Sequence, residues 1–225
     1  PGARIGLVGH FKDESSSYLA HFPGWELVSL PRQNSIDATP IRDAYFGTQG
    51  DGSAASLAAL ADMLPASSLQ FLQQFRTSAE YAALHTEWQM LRRYHASWAA
   101  APYPPIFVTV DALLRCGNEV LLIRRGHAPG KGLLALPGGF VEPRDSLWQS
   151  CLRELQEETH CALDESQLQA SLQSVTVFDH PDRSQRGRTI THVHYFDLQR
   201  SPKPAVRADD DAAEAFWLSI DAIRA

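Results

Sequence analysis

Apolar residues crowd residues 106–115 and 119–125, alternating or unbroken as in half-buried or fully buried strands, and Cys116-Gly117-Asn118 between them signals a hairpin. Short strands are predicted at 133–136, 174–179, 190–198 and 215–218, with a short helix opening near Ser219-Ile220-Asp221. Between the first and second of these strands the period changes. Trp148, Leu152, Leu155 and Thr159 recur at three and four residues, which predicts a helix with one packing face. Asp145 or Ser146 can cap its start, and Gly138-Gly139 reads as a turn before it. Upstream, residues 5–8 and 25–30 read as strands and 15–19 as a short helix. A further helix opens at Thr39-Pro40, with Thr39 as cap and Pro40 in the first turn. Residues 47–54 are rich in Gly, Ser and Asp and read as a loop. Helices follow at 68–75 and 78–100. The second carries Tyr81, Leu84, Trp88, Leu91, Tyr94, His95 and Trp98 on a stripe read as packing without chemistry. Pro102, Pro104 and Pro105 break it. The expected organisation is α/β: the C-terminal part of an α/β domain at 1–64, a helical linker at 65–104, and an α/β/α sandwich with a mixed sheet at 105–225.

Composition narrows the class. Apolar residues at 44% and charged residues at 20% are a globular balance, not a disordered one. A net charge of -6 argues against a bulk nucleic-acid binder. No apolar run approaches the roughly 18 residues of a bilayer span, and no signal peptide is visible. Cys116, Cys151 and Cys161 lack metal-site spacing and read as free thiols, so a reducing cytoplasm is expected. The chain opens on Pro1 and enters a strand almost at once. Domains rarely begin so, and a preceding N-terminal portion is expected.

The candidate chemistry lies on the helix predicted from 146. At 100° per residue, Glu154, Glu157 and Glu158 share a face distinct from the packing face. Alone, such a run reads as a solvated acidic surface. Next to a Gly-Gly pair, with Arg124-Arg125 upstream, it suits a hard divalent cation shared with substrate phosphate.

Gly139, Asp145, Arg153, Glu154, Leu155, Glu157 and Glu158 stand in the register of the Nudix box, which the stretch resembles throughout. It departs at Asp145, where the family has Glu, and at His160, where it has Gly; Cys161 fills the last apolar place. The resemblance implies a Nudix fold and Mg²⁺ or Mn²⁺ held by Glu154, Glu157 and Glu158, with backbone help from Gly138. It implies a buttressing role for Arg153, beside Glu157 and Glu158 as catalytic groups. The general base stays open among Glu157, Asp209, Asp210, Asp211 and Glu214. Asp145 is expected to support the acids and cap the helix. His160 is expected to occupy a left-handed position that histidine tolerates poorly.

Residues 178–191 gather Arg183, Arg186 and Arg188 in one turn. Arginine can fork onto phosphate oxygens, and the stretch resembles that of Nudix proteins that hydrolyse or sense ADP-ribose. Substrate contacts are therefore expected from Arg124, Arg125, Gly139, Arg183, Arg186 and Arg188. Gly9-His10-Phe11-Lys12-Asp13 and the run 36–42 resemble the C-terminal half of nicotinamide mononucleotide (NMN) adenylyltransferases. There Thr39 and Arg42 match phosphate-contacting positions, and Asp37 replaces a serine. The segment order resembles the bifunctional adenylyltransferase–Nudix proteins. That resemblance implies ADP-ribose cleavage to AMP and ribose 5-phosphate, with ATP and NMN as ligands upstream. No nucleic acid or membrane partner is expected, and a homo-oligomer is compatible. The rival expectation is a Nudix-like sensor that binds ADP-ribose without cleaving it.

Overall fold

The computed structural model describes residues 4–9, 22, 24–31, 37–47, 60–199 and 202–224. The helix expected at 15–19, the motif residues 10–13 and 36, and most of the loop at 47–54 lie outside them. Contacts divide the chain into two compact units, Pro1–His85 and Thr86–Ala225.

In the first unit, β1 (Gly6–Gly9) and β2 (Glu26–Ser29) pair in parallel, Leu7 opposite Leu27. Helix α1 (Ala38–Gly47) begins one residue before Thr39. Its orphan donor at Thr39 N goes to Asp37 Oδ1 at 3.1 Å, so Asp37 is the cap and Thr39 lies inside the helix, correcting the sequence expectation. A carboxylate suits that end of the helix dipole. Helix α2 (Ala66–Phe75) and the start of α3 (Ala79–Ser97) complete a small core. Tyr45, Leu60 and Tyr81 are buried there, and Tyr45 Oη donates to the Leu72 carbonyl at 2.8 Å.

The second unit is built on a seven-stranded mixed sheet. Its long central strand β3 (Ile106–Cys116) runs parallel to β8 (Arg188–Asp197) over ten residue pairs. A tight hairpin at Gly117-Asn118 returns it as β4 (Glu119–Arg125). There Gly117 takes φ +60, the left-handed conformation glycine adopts freely. The hairpin and the flanking strands thus fall where the alternation places them. Strands β5 (Leu134–Ala135) and β9 (Ala212–Ser219) flank β4, and β7 (Leu172–Phe178) pairs with β8. Alternate residues of β3 (Val110, Ala112, Leu114) meet Leu121, Phe196, Cys151 and Leu155 in one core. The last two belong to helix α4 (Leu147–Thr159). Helix α5 (Glu165–Ser171) was not expected. Its signal is a capping box, Asp164 and Gln167 each accepting from the other's backbone N–H. Helix α6 (Ile220–Arg224) closes the chain.

The Gly138-Gly139 pair is no turn. It lies in strand β6 (Gly138–Phe140), antiparallel to β3 with Gly139 opposite Val110. Neither residue takes a positive φ. Glycine is needed here for closeness: a Cβ on Gly138 would strike the Val110 carbonyl oxygen and Asp111 Oδ1, and one on Gly139 would sit 2.5 Å from Glu154 Cδ.

Candidate active site

Helix α4 presents the acids. Ser146 caps it, accepting from Gln149 N at 3.2 Å while Gln149 Oε1 accepts from Ser146 N at 2.9 Å. Asp145 is therefore not the cap. Its Oδ2 accepts from Ser150 Oγ at 3.2 Å and from Arg153 Nε at 3.5 Å, which keeps the supporting half of its expected role. Leu155 and Thr159 are buried on the core side, with Trp148 and Leu152 packed beside them. The helix ends at His160, φ 42 and ψ 40, the left-handed position expected of it. The His160 imidazole lies 2.7 Å from Asp209 Oδ2 and holds that carboxyl below its ordinary range.

Glu158 is 5% exposed, and its Oε2 accepts from Gly138 N at 2.8 Å. Burial pushes its carboxyl up to about 7, against the Gly138 hydrogen bond and with help from the Glu154 charge. Burial also raises Glu154, opposed by Arg153. Arg153 ties the acidic face together. It reaches Glu157 Oε2 at 2.8 Å, Glu154 Oε1 at 3.0 Å and the Phe140 carbonyl at 3.2 Å. Among the described residues no three His, Cys, Asp or Glu side chains already form an ion cage; Glu154 and Glu157 are engaged by Arg153 and Glu158 by Gly138.

A cleft of about 270 Å³ opens over these groups, and Glu154, Glu157, Glu158, Gly138, Gly139 and Arg153 line it. Its other walls carry Arg125, Arg186, Asp210 and Asp211. Arg186 lies over the Phe140 ring at 4.8 Å, and burial, then the like charge of Arg125, lower its pKa.

The remaining predicted residues sit elsewhere. Arg124 pairs with Glu214 at 2.9 Å across β4 and β9, and neither lines the cleft. Arg183 is bound to Thr191 Oγ1 and Arg188 to the Asp179 carbonyl. Thr39 and Arg42 are neighbours on α1 in the first unit, Arg42 Nη2 donating to Thr39 Oγ1 at 3.4 Å. Asp111 was missed. Burial raises its carboxyl to about 6, opposed by Arg183 and Arg125. A lone acid inside an apolar strand run was the available signal.

Residues 105–225, just over half the chain, match the NUDIX domain family. An ADP-ribose pyrophosphatase from Methanocaldococcus jannaschii is 35% identical over 114 residues, 51% of this chain and 62% of that protein. A nicotinamide/nicotinic acid mononucleotide adenylyltransferase from Acinetobacter baylyi is 39% identical over 88 residues, 39% of this chain and 42% of that protein. The crystal structure of a bifunctional NMN adenylyltransferase/ADP ribose pyrophosphatase from Francisella tularensis, complexed with AMP and Mn ion, superposes with TM-score 0.74 at 35% identity. That match covers 96% of this chain and 62% of the other. The chain thus spans less than two thirds of each of these relatives.

Proposed function

For a chain that belongs to the NUDIX domain family, we propose divalent-metal-dependent hydrolysis of the pyrophosphate bond of ADP-ribose, giving AMP and ribose 5-phosphate. The observation that carries it is one cleft in which three carboxylates of a single helix face meet the Gly138-Gly139 backbone and three arginines, Arg125, Arg153 and Arg186. The relatives' names supply the substrate, and Mn in the Francisella complex supports the cation class. The donor set fits Mg²⁺ or Mn²⁺. All three acids offer hard oxygens, and with Oε2 bonded to Gly138 N, Glu158 keeps Oε1 for an ion. Glu154, Glu157 and Glu158 would hold it, with Arg153 orienting them. When bound, the cation would neutralise the diphosphate and acidify a water.

The chain's own groups do the rest. Arg125 and Arg186 bind the phosphate oxygens. The attacking water loses its proton to a cleft carboxylate, its oxygen bonds one phosphorus, and the bridging P–O bond breaks towards the other phosphate. Of the five candidate bases, Glu157, Asp210 and Asp211 face the cleft. Asp209 is engaged by His160 and Glu214 by Arg124. In the same proposal, residues 1–64 belong to an adenylyltransferase-like domain that takes ATP and NMN in the parent protein, 65–104 form a helical linker, and 105–225 form the hydrolase. The match along 96% of the chain to a bifunctional protein supports this. Among the described residues no helix is long and apolar enough to cross a membrane.

Purified protein with Mg²⁺ or Mn²⁺ is expected to convert ADP-ribose to AMP and to stop on chelation; tight ADP-ribose binding without turnover under either metal would instead establish a sensor. Arg186→Ala is expected to raise KM about tenfold with kcat nearly unchanged, because it removes a charge-assisted contact made before the chemical step. Equal falls in kcat and kcat/KM would place Arg186 on the transition state instead. Arg153→Met keeps the apolar stem and removes the countercharge. Without metal it should cost about 2 kcal/mol, and saturating Mn²⁺ should narrow the gap. Thermal melts with chelator and with Mn²⁺ measure both.

A further inference from the structure

Helix α3 was read as packing, yet two of its polar side chains bond the loops that border the cleft. Glu87 Oε1 accepts from Gly130 N at 2.9 Å. His95 Nε2 donates to the Gln185 carbonyl at 2.9 Å. Both contacts lie within the second unit. At 100° per residue, Glu87, Tyr94, His95 and Trp98 fall within about a quarter-turn of one another, and Glu87 and His95 stand about 12 Å apart along the axis. The helix can therefore grip two separate loops with one face.

Each grip stands next to a cleft arginine. Arg125 Nε donates to the Pro129 carbonyl at 2.9 Å, one residue before the amide that Glu87 holds. Gln185 immediately precedes Arg186. Beside the His95 grip, Tyr94 and Trp98 pack on Phe107 at 5.8 and 5.3 Å, Phe107 packs on Phe140 at 5.7 Å, and Arg186 lies over Phe140. Arg125 and Arg186 repel each other within the cleft, so something must hold the two guanidinium groups in place before an anion arrives.

We propose that helix α3 is a positioning element of the cleft, Glu87 fixing the loop whose Pro129 carbonyl holds the Arg125 side chain and His95 fixing the loop that carries Arg186, so that the two guanidinium groups form a preformed seat for a diphosphate. A fixed seat avoids the cost of ordering two long side chains on binding. The inference rests on the diphosphate reading of this cleft but not on turnover.

Calorimetric titration of the whole chain with inorganic pyrophosphate, Mn²⁺ present, separates the two. Glu87→Ala and His95→Ala are each expected to weaken pyrophosphate binding about tenfold. Glu87→Gln keeps an acceptor oxygen and should stay within about twofold of the parent. Glu87→Ala added to Arg125→Ala should cost nothing further, because the first acts through the second. Thermal melts of each variant accompany the titrations. Melts that fall while pyrophosphate affinity holds would show a merely structural helix and overturn the proposal. So would parent affinity that ignores Arg125→Ala and Arg186→Ala. Pyrophosphate binding that follows the expected pattern in a protein that leaves ADP-ribose intact would sink the hydrolase reading and leave this one standing.

Discussion

Glu158→Gln is expected to abolish ADP-ribose hydrolysis, on the order of 10³-fold in kcat, while the chain stays folded. The amide oxygen of glutamine can still accept from Gly138 N, so the link between α4 and β6 survives. What disappears is the negative oxygen offered to a cation. The variant also tests the electrostatics without any substrate. Burial raises the Glu158 carboxyl to about 7, against about 4.3 in an unfolded chain. The folded state therefore holds this proton more tightly than the unfolded state does. The stability this confers is complete below about pH 4.3 and lost as pH rises through about 7. Glutamine has no such loss. Melts with chelator should show Glu158→Gln gaining on the parent between pH 5 and pH 8. A gap that stays flat with pH would mean that Glu158 titrates normally and is not desolvated. Full activity in the variant would remove the helix face from the mechanism.

The sequence was most legible where one physical signal dominates. Trp148, Leu152, Leu155 and Thr159 at helical spacing placed the packing side of α4, and this also placed Glu154, Glu157 and Glu158 on the cleft. The alternating strands around Gly117-Asn118 gave the hairpin and the sheet to which it belongs. Legibility failed where partners distant in sequence decide the outcome. Nothing in Arg124-Arg125 says which arginine faces the cleft. The pleat sends neighbours to opposite faces, and the register opposite β9 gives Arg124 to Glu214. Three arginines in one turn likewise look equivalent in sequence, yet only Arg186 lines the cleft, while Arg183 and Arg188 tie down Thr191 and Asp179. Thr39 and Asp145 looked like caps because both residue types cap well. Asp37, two residues before Thr39, and Ser146, the alternative beside Asp145, do the capping, an ambiguity of one or two residues that composition cannot resolve.

The glycine pair shows the same limit from the other side, and it makes the second strong prediction. Two adjacent glycines suggest a turn because glycine permits unusual φ. Here they permit close approach, and what each approaches differs. Gly138 faces backbone: a Cβ would meet the Val110 carbonyl oxygen and lie 2.8 Å from Asp111 Cα. Neither can yield without pulling β6 off β3. Gly138→Ala is therefore expected to cost about 3 kcal/mol and to lower the Tm of the second unit by roughly 6–12 °C. Activity should fall as well, because Gly138 N no longer reaches Glu158. Gly139 faces a side chain instead. A methyl group there must displace the Glu154 carboxylate, which can swing away at small cost to the fold. Gly139→Ala should thus keep its Tm within a few degrees while losing about 10²-fold in activity. Excess Mn²⁺ separates the two faults. It should restore part of the activity of Gly139→Ala by competing for the displaced carboxylate, and none of the stability of Gly138→Ala, whose damage lies in strand pairing. If both variants lost stability and activity in parallel, the two glycines would share one structural role, and the assignment of Gly139 to the space beside Glu154 would be wrong.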